Sequence, residues 1–124
     1  MFIEIDAESD EALYLQLKNQ IILAIAANAV SEGDMLPSVR SLAAIAGVNM
    51  HTVNKAYALL QTEGFLTIGR RGTMISVNDD RERALCSLRE DLSVALAKAR
   101  CRSVSRDDVH RLIDDILSDY DRNS

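Results

Sequence analysis

Between Leu36 and Leu60 the apolar residues recur at helical spacing twice, once on each side of a glycine. Val39, Leu42, Ala43 and Ile45 are spaced to form one buried stripe over about two turns, starting directly after Pro37-Ser38. Gly47-Val48-Asn49 then makes a corner, since glycine takes the positive φ that ends a helix and asparagine caps the next. Val53, Ala56, Tyr57 and Leu60 resume the spacing and should face the core. Met50, His51, Asn54, Lys55 and Ala58 are left looking outward, with Thr52 at the edge. Two short helices joined by a glycine turn form a helix-turn-helix, and its second helix can enter a DNA major groove.

The pattern changes on both sides of this unit. Upstream, Phe2-Ile3-Glu4-Ile5 alternates and is expected as a short edge strand. Ser9 or Asp10 should cap a helix over residues 11–29 with Leu13, Leu17, Ile21, Ile22 and Ile25 as its stripe, and Ser31-Glu32-Gly33-Asp34 reads as a turn. Downstream of Gly64, Phe65-Leu66-Thr67-Ile68 and Thr73-Met74-Ile75-Ser76-Val77 read as two strands around a Gly69-Arg70-Arg71-Gly72 tip, a hairpin wing. Two arginines at such a tip suit phosphate contact or a narrow minor groove.

Asn78-Asp79-Asp80 marks a hinge, and Leu85, Leu88, Leu92, Leu96 and Ala99 then keep helical spacing through about Cys101. Ser105 caps a second helix striped by Val109, Leu112, Ile113, Ile116, Leu117 and Tyr120, with Asp107 and Asp108 near its positive end. Two amphipathic helices alone make a thin core, so their stripes predict a second copy as partner. The expected fold is mainly α with a small β wing: a winged helix-turn-helix over 1–77 followed by a two-helix dimerisation tail over 78–124.

Residues in this order resemble the winged helix-turn-helix of the GntR family of bacterial transcription regulators, and the whole chain resembles its short YtrA-type branch. The resemblance rests on Tyr14-Leu15-Gln16, Pro37-Ser38-Val39-Arg40-Ser41-Leu42-Ala43, Gly47-Val48-Asn49, Thr52-Val53, Ala56-Tyr57, Glu63-Gly64 and Gly72-Thr73. The wing is one residue shorter than the family pattern and lacks its phenylalanine. Met50 and Asn54 stand where some relatives carry arginine, so base identity does not carry over. The resemblance implies a regulator of an operon, that of a transporter or its own, and a repressor rather than an activator. Longer branches add a ligand-binding or aminotransferase-like domain for which this chain has no room, and the resemblance leaves the existence of a small-molecule effector open.

Composition and charge then narrow the class. The chain has 124 residues, 48% of them hydrophobic, but only 4% aromatic, so its core is mainly aliphatic. No apolar run approaches the ~20 residues of a membrane span, and the acidic start lacks the basic region of a signal peptide; a cytoplasmic protein is expected. The net charge of −5 argues against nucleic acid until its distribution is seen. Residues 1–34 carry one Lys against seven acids, whereas Arg40, Lys55, Arg70 and Arg71 face only Glu63 across residues 35–75. Positive charge gathers where the motif puts DNA.

Ser38, Arg40, Asn49, His51, Thr52, Asn54, Lys55, Arg70, Arg71 and Gly72 are therefore the candidate DNA-binding residues. Arg40 can take phosphate or guanine, Asn54 can read adenine, Thr52 can meet phosphate or a thymine methyl, and Lys55 seeks phosphate. Asn49 is weighted toward capping. For Tyr14 and Gln16, ordinary packing is weighed against phosphate contact. Leu85, Leu88, Leu92, Leu96, Leu112, Ile113, Ile116 and Leu117 are the candidate dimerisation residues.

Cys86 and Cys101 stand fifteen positions apart on one expected helix, roughly 22 Å at 1.5 Å per residue, so they cannot pair within it. Buried or half-buried free thiols are the expectation, against an intersubunit redox switch. No Ser/His/Asp set, metal cluster or phosphate loop is present, which speaks against an enzyme, and no cofactor is implied. The reading is a homodimeric, sequence-specific regulator on a two-fold related double-stranded DNA operator; a non-specific winged-helix DNA-binding or protein-interaction module is the alternative.

Overall fold

The computed structural model describes residues 3–122 and divides into two compact units, one extending to Asn78 and one spanning Asp79–Arg122. The first contains α1 (Leu13–Ala26), α2 (Val39–Ala46), α3 (Met50–Thr62), β1 (Leu66–Gly69) and β2 (Gly72–Ile75); the second contains α4 (Arg81–Cys101) and α5 (Arg106–Arg122). Every element of the first unit contributes to its core: Leu17 and Ile21 from α1, Leu42 and Ala43 from α2, Val53, Ala56, Tyr57 and Leu60 from α3, and Leu66 and Ile75 from the strands.

The helix α1 is shorter at both ends than the 11–29 its stripe suggested. Ala12 occupies its N-cap without a side-chain bond, and the Ser9 hydroxyl instead accepts from the Glu11 amide. At the other end Asn28 turns to φ 59° and the Ala29 amide reaches back to Ala24 O. Ile45, expected in the buried stripe of α2, is 66% exposed. At about 100° per residue it points well away from the Leu42/Ala43 direction, and Ala46 takes the inner position instead.

The expected edge strand over residues 2–5 is not formed at residues 3–5, and Phe2 lies outside the described residues. Two glutamines of α1 hold this segment instead. Gln16 accepts from the Asp6 amide at 2.8 Å and donates to Asp6 O at 2.9 Å, while Gln20 accepts from the Glu4 amide at 2.7 Å and donates to Glu4 O. One helical turn from residue 16 to 20 advances about 6 Å, close to the ~6.6 Å that two residues of extended chain cover. The two side-chain amides thus copy the pairing that a neighbouring strand would offer, and they set Ile3 and Ile5 against the core.

In the wing, β1 and β2 pair antiparallel with Leu66 opposite Ile75 and Gly69 opposite Gly72. A third stretch, read from sequence only as a turn and a lead-in, lines the other edge of β2. The Gly33 amide donates to Ile75 O, the Ile75 amide to Asp34 O and the Leu36 amide to Thr73 O, each at 2.8 Å. Glu32 adds a carboxylate that accepts from the Val77 amide at 3.0 Å.

The second unit has no buried residue in either helix. Asp80 caps α4 through the Arg83 amide, Ser103 makes the corner at φ 61°, and Ser105 caps α5 through the Asp108 amide at 3.0 Å. Cys86 and Cys101 are free and exposed rather than buried, on a helix in which no residue is buried. No helix among the described residues is long and apolar enough to cross a membrane.

Tyr57 ties the first unit together. Its ring is buried in the core and its hydroxyl donates to Pro37 O at 2.7 Å, across 20 residues of sequence. Burial pushes its pKa up from 10.0 to about 12. Removing the hydroxyl in Tyr57→Phe leaves the carbonyl without this partner, and urea unfolding should register a loss of about 1–2 kcal/mol at neutral pH. Above pH 10 the unfolded chain releases the phenolic proton first, so wild-type stability should fall as pH rises toward the folded value of about 12. Tyr57→Phe should lack that component, and the gap between the two proteins should narrow from pH 9 to 11.

Candidate nucleic-acid interface

The helix-turn-helix is set by its caps. Ser38 precedes α2, its hydroxyl accepting from the Ser41 amide at 3.1 Å and donating to the Ser41 hydroxyl at 3.0 Å. Gly47 closes α2 at φ +71°, a left-handed conformation that a side chain would strain, and donates to Ala43 O. Two residues on, the Asn49 side chain accepts from the Thr52 amide at 2.8 Å and from the Thr52 hydroxyl at 3.1 Å. The corner is thereby fixed at both ends, and with it the direction in which α3 leaves.

That direction divides α3 cleanly. Val53, Ala56, Tyr57 and Leu60 are buried, while Met50, His51, Asn54, Lys55 and Ala58 are exposed and Thr52 is half-buried. Arg40 stands exposed on the second residue of α2. At the wing, Arg70 and Arg71 form the two-residue loop between Gly69 and Gly72. Gly72 takes φ +114° there and spares the arginines a strained backbone.

The polar candidates fall into two groups. Ser38, Asn49 and Thr52 have side-chain oxygens engaged in capping. Arg40, His51, Asn54, Lys55, Arg70 and Arg71 are exposed. Glu63, the one acid between residues 35 and 75, is neutralised by Lys18 of α1 at 2.6 Å. Among the described residues no group of His, Cys, Asp and Glu is placed to hold a metal ion.

One contact of this surface was not read from the sequence. The Lys55 ammonium lies 3.9 Å from the centre of the Tyr14 ring, which brings α1 into the site. Gln16, for which ordinary packing was weighed against phosphate contact, is 93% buried and bound to backbone groups at Asp6 and Glu11. The motif Tyr14-Leu15-Gln16 marked these positions, but only the packing of α1 on α3 shows what each touches.

A capped helix-turn-helix with a polar outer helix and an arginine-tipped hairpin defines a winged-helix DNA-binding protein. The family model described as bacterial regulatory proteins, gntR family, matches residues 13–75. The chain belongs to that family, whose members are transcription regulators. It is 35% identical over 121 residues to the HTH-type transcriptional repressor YtrA of Bacillus subtilis (strain 168), covering 94% of this chain and 93% of that protein. A solved structure of a transcriptional antiterminator from Listeria monocytogenes EGD-e superposes with a TM-score of 0.84 at 27% identity, over 97% of this chain and 92% of that one. The DNA-binding domain of AraR, solved in complex with operator ORE1, superposes with a TM-score of 0.52 at 26% identity, over 58% of this chain and 89% of that one.

Because Asn49 holds the start of α3 through two bonds, Asn49→Ala should lower stability by about 1 kcal/mol. The check is the urea midpoint, which should move while the far-ultraviolet circular dichroism of the folded protein stays close to wild type.

Proposed function

We propose that the chain is a homodimeric, sequence-specific repressor that binds a two-fold related DNA operator with one α3 helix in each of two successive major grooves. The division of α3 into a buried apolar face and an exposed His51/Asn54/Lys55 face is the observation that carries this reading. His51 and Asn54 have the chemistry to read base edges, and Arg40, Lys55, Arg70 and Arg71 to take phosphates or a narrow groove. Ser38, Asn49 and Thr52 act through the caps that aim α3, with the Thr52 methyl near the groove wall. Gly72 lets the arginine tip turn. The AraR domain, seen on its operator, supports this use of the fold. The work would be done in the cytoplasm, on an operon that includes the regulator's own gene, and without catalysis.

The proposed division is a DNA-binding head over 1–77 and a dimerisation tail over 78–124. Leu85, Leu88, Leu96, Leu112, Ile113, Ile116 and Leu117 are all exposed, and Leu92 is half-buried. Covering the remaining surface of these eight side chains gains on the order of 1 kcal/mol each, about 16 for two copies. That exceeds or matches an association cost of about 4–15 kcal/mol. Doubling the heads also compensates for the few cations in each.

Selection of bound duplexes from a random pool should recover a palindrome with half-site centres about 34–36 Å apart, preferred at least ~10³-fold over a scrambled duplex. Weak binding with no enriched sequence and a steep loss with salt would mark a non-specific module instead. In sedimentation experiments the paired change Leu88→Glu with Ile116→Glu should convert a dimer to a monomer and weaken palindrome binding at least ~100-fold. A dimer that persists would remove the tail from the interface.

A further inference from the structure

We propose that Tyr14 is a positioning residue for Lys55, and that the two form one phosphate-holding unit on the flank of α3 that faces α1. The inference rests on the docking of α3 proposed above.

A lysine on an exposed helix face has a long, freely rotating stem, and holding its ammonium against a phosphate costs rotamer freedom. A protein can remove that freedom in advance with either of two neighbours. A carboxylate fixes the ammonium but cancels its charge, as Glu63 does for Lys18 at 2.6 Å. An aromatic face attracts the cation through its quadrupole and leaves the net charge intact.

Lys55 has the second kind of neighbour. Its ammonium stands 3.9 Å from the Tyr14 ring centre, well inside the ~6 Å over which this attraction operates. No carboxylate among the described residues lies within ion-pair distance of it. Tyr14 is half-buried and packs against the core from α1, so the ring itself is held. The cation is thus placed and still uncompensated, which is what a phosphate contact requires.

The placement also sorts the residues of α3. At about 100° per residue, His51 sits near the middle of the exposed face, with Asn54 on one side of it and Lys55 on the other. With Lys55 held over α1, base reading falls to His51 and Asn54. Lys55 should therefore add affinity without adding preference for one sequence.

The test uses the full chain, the duplex recovered by selection and a scrambled duplex, titrated at several salt concentrations. Lys55→Ala should weaken binding about tenfold on both duplexes alike and reduce the slope of log affinity against log salt by about one. Tyr14→Leu should lose about three- to tenfold, again on both. The double variant should bind no more weakly than Lys55→Ala alone, and Tyr14→Phe, which keeps the ring, should match wild type. In the protein without DNA, the Lys55 ε-methylene proton resonances should lie upfield through the ring current and return to ordinary positions in Tyr14→Leu.

Losses in Tyr14→Leu and Lys55→Ala that multiply in the double variant would overturn the proposal while leaving the docking of α3 standing. So would a Tyr14→Phe protein as weak as Tyr14→Leu, since the hydroxyl rather than the ring would then be responsible. A Lys55→Ala protein that binds both duplexes at full strength would also overturn it, since Lys55 would then hold no phosphate, while recovery of a palindrome by the wild-type protein would show that the docking of α3 stands without that contact.

Discussion

From inside the core, the hydroxyl of Tyr57 donates to the carbonyl of Pro37, directly before the first turn of α2. This bond fixes the two helices of the helix-turn-helix against each other at the end away from their glycine corner. Gly47 and Asn49 fix them at the corner itself. An angle between two short helices held at both ends has little freedom left, and the outward face of α3 inherits that rigidity. Such precision matters because a base-reading side chain misplaced by an ångström loses its hydrogen-bond geometry.

Support for this arrangement comes from elements that do not belong to the motif. The glutamine pair of α1 anchors the chain start, and residues 33–36 edge the wing, so the ends of the first unit are tied to its body by backbone groups. The helix α1 also manages the charge of the site. Lys18 neutralises Glu63, and Tyr14 orders Lys55 without neutralising it. A chain with a net charge of −5 can in this way present a basic surface at one place.

The tail follows a different logic. Its helices are capped and regularly striped, yet none of their residues is buried. These exposed apolar stripes are what the proposed dimer of tails would cover, and such a dimer would bring two heads to one operator. Helices of this kind are stable in proportion to what covers them.

Much of this was legible in the chain itself. Helical spacing at Val53, Ala56, Tyr57 and Leu60 determined which face of α3 is inward, and Gly47 and Asn49 determined where the corner lies, because those signals are local and depend on backbone chemistry alone. The wing was readable for the same reason: a change of period around glycines. What only the tertiary structure decided are the contacts between residues far apart in sequence. Ile45 faces outward because the direction of the α2 core face is set by its neighbours, not by its own hydrophobicity. Gln16 is buried because an extended segment ten residues upstream needed hydrogen-bond partners. Tyr14 meets Lys55 across 41 positions because α1 packs on α3, and no pattern of spacing along one helix records which residue of another will lie over it.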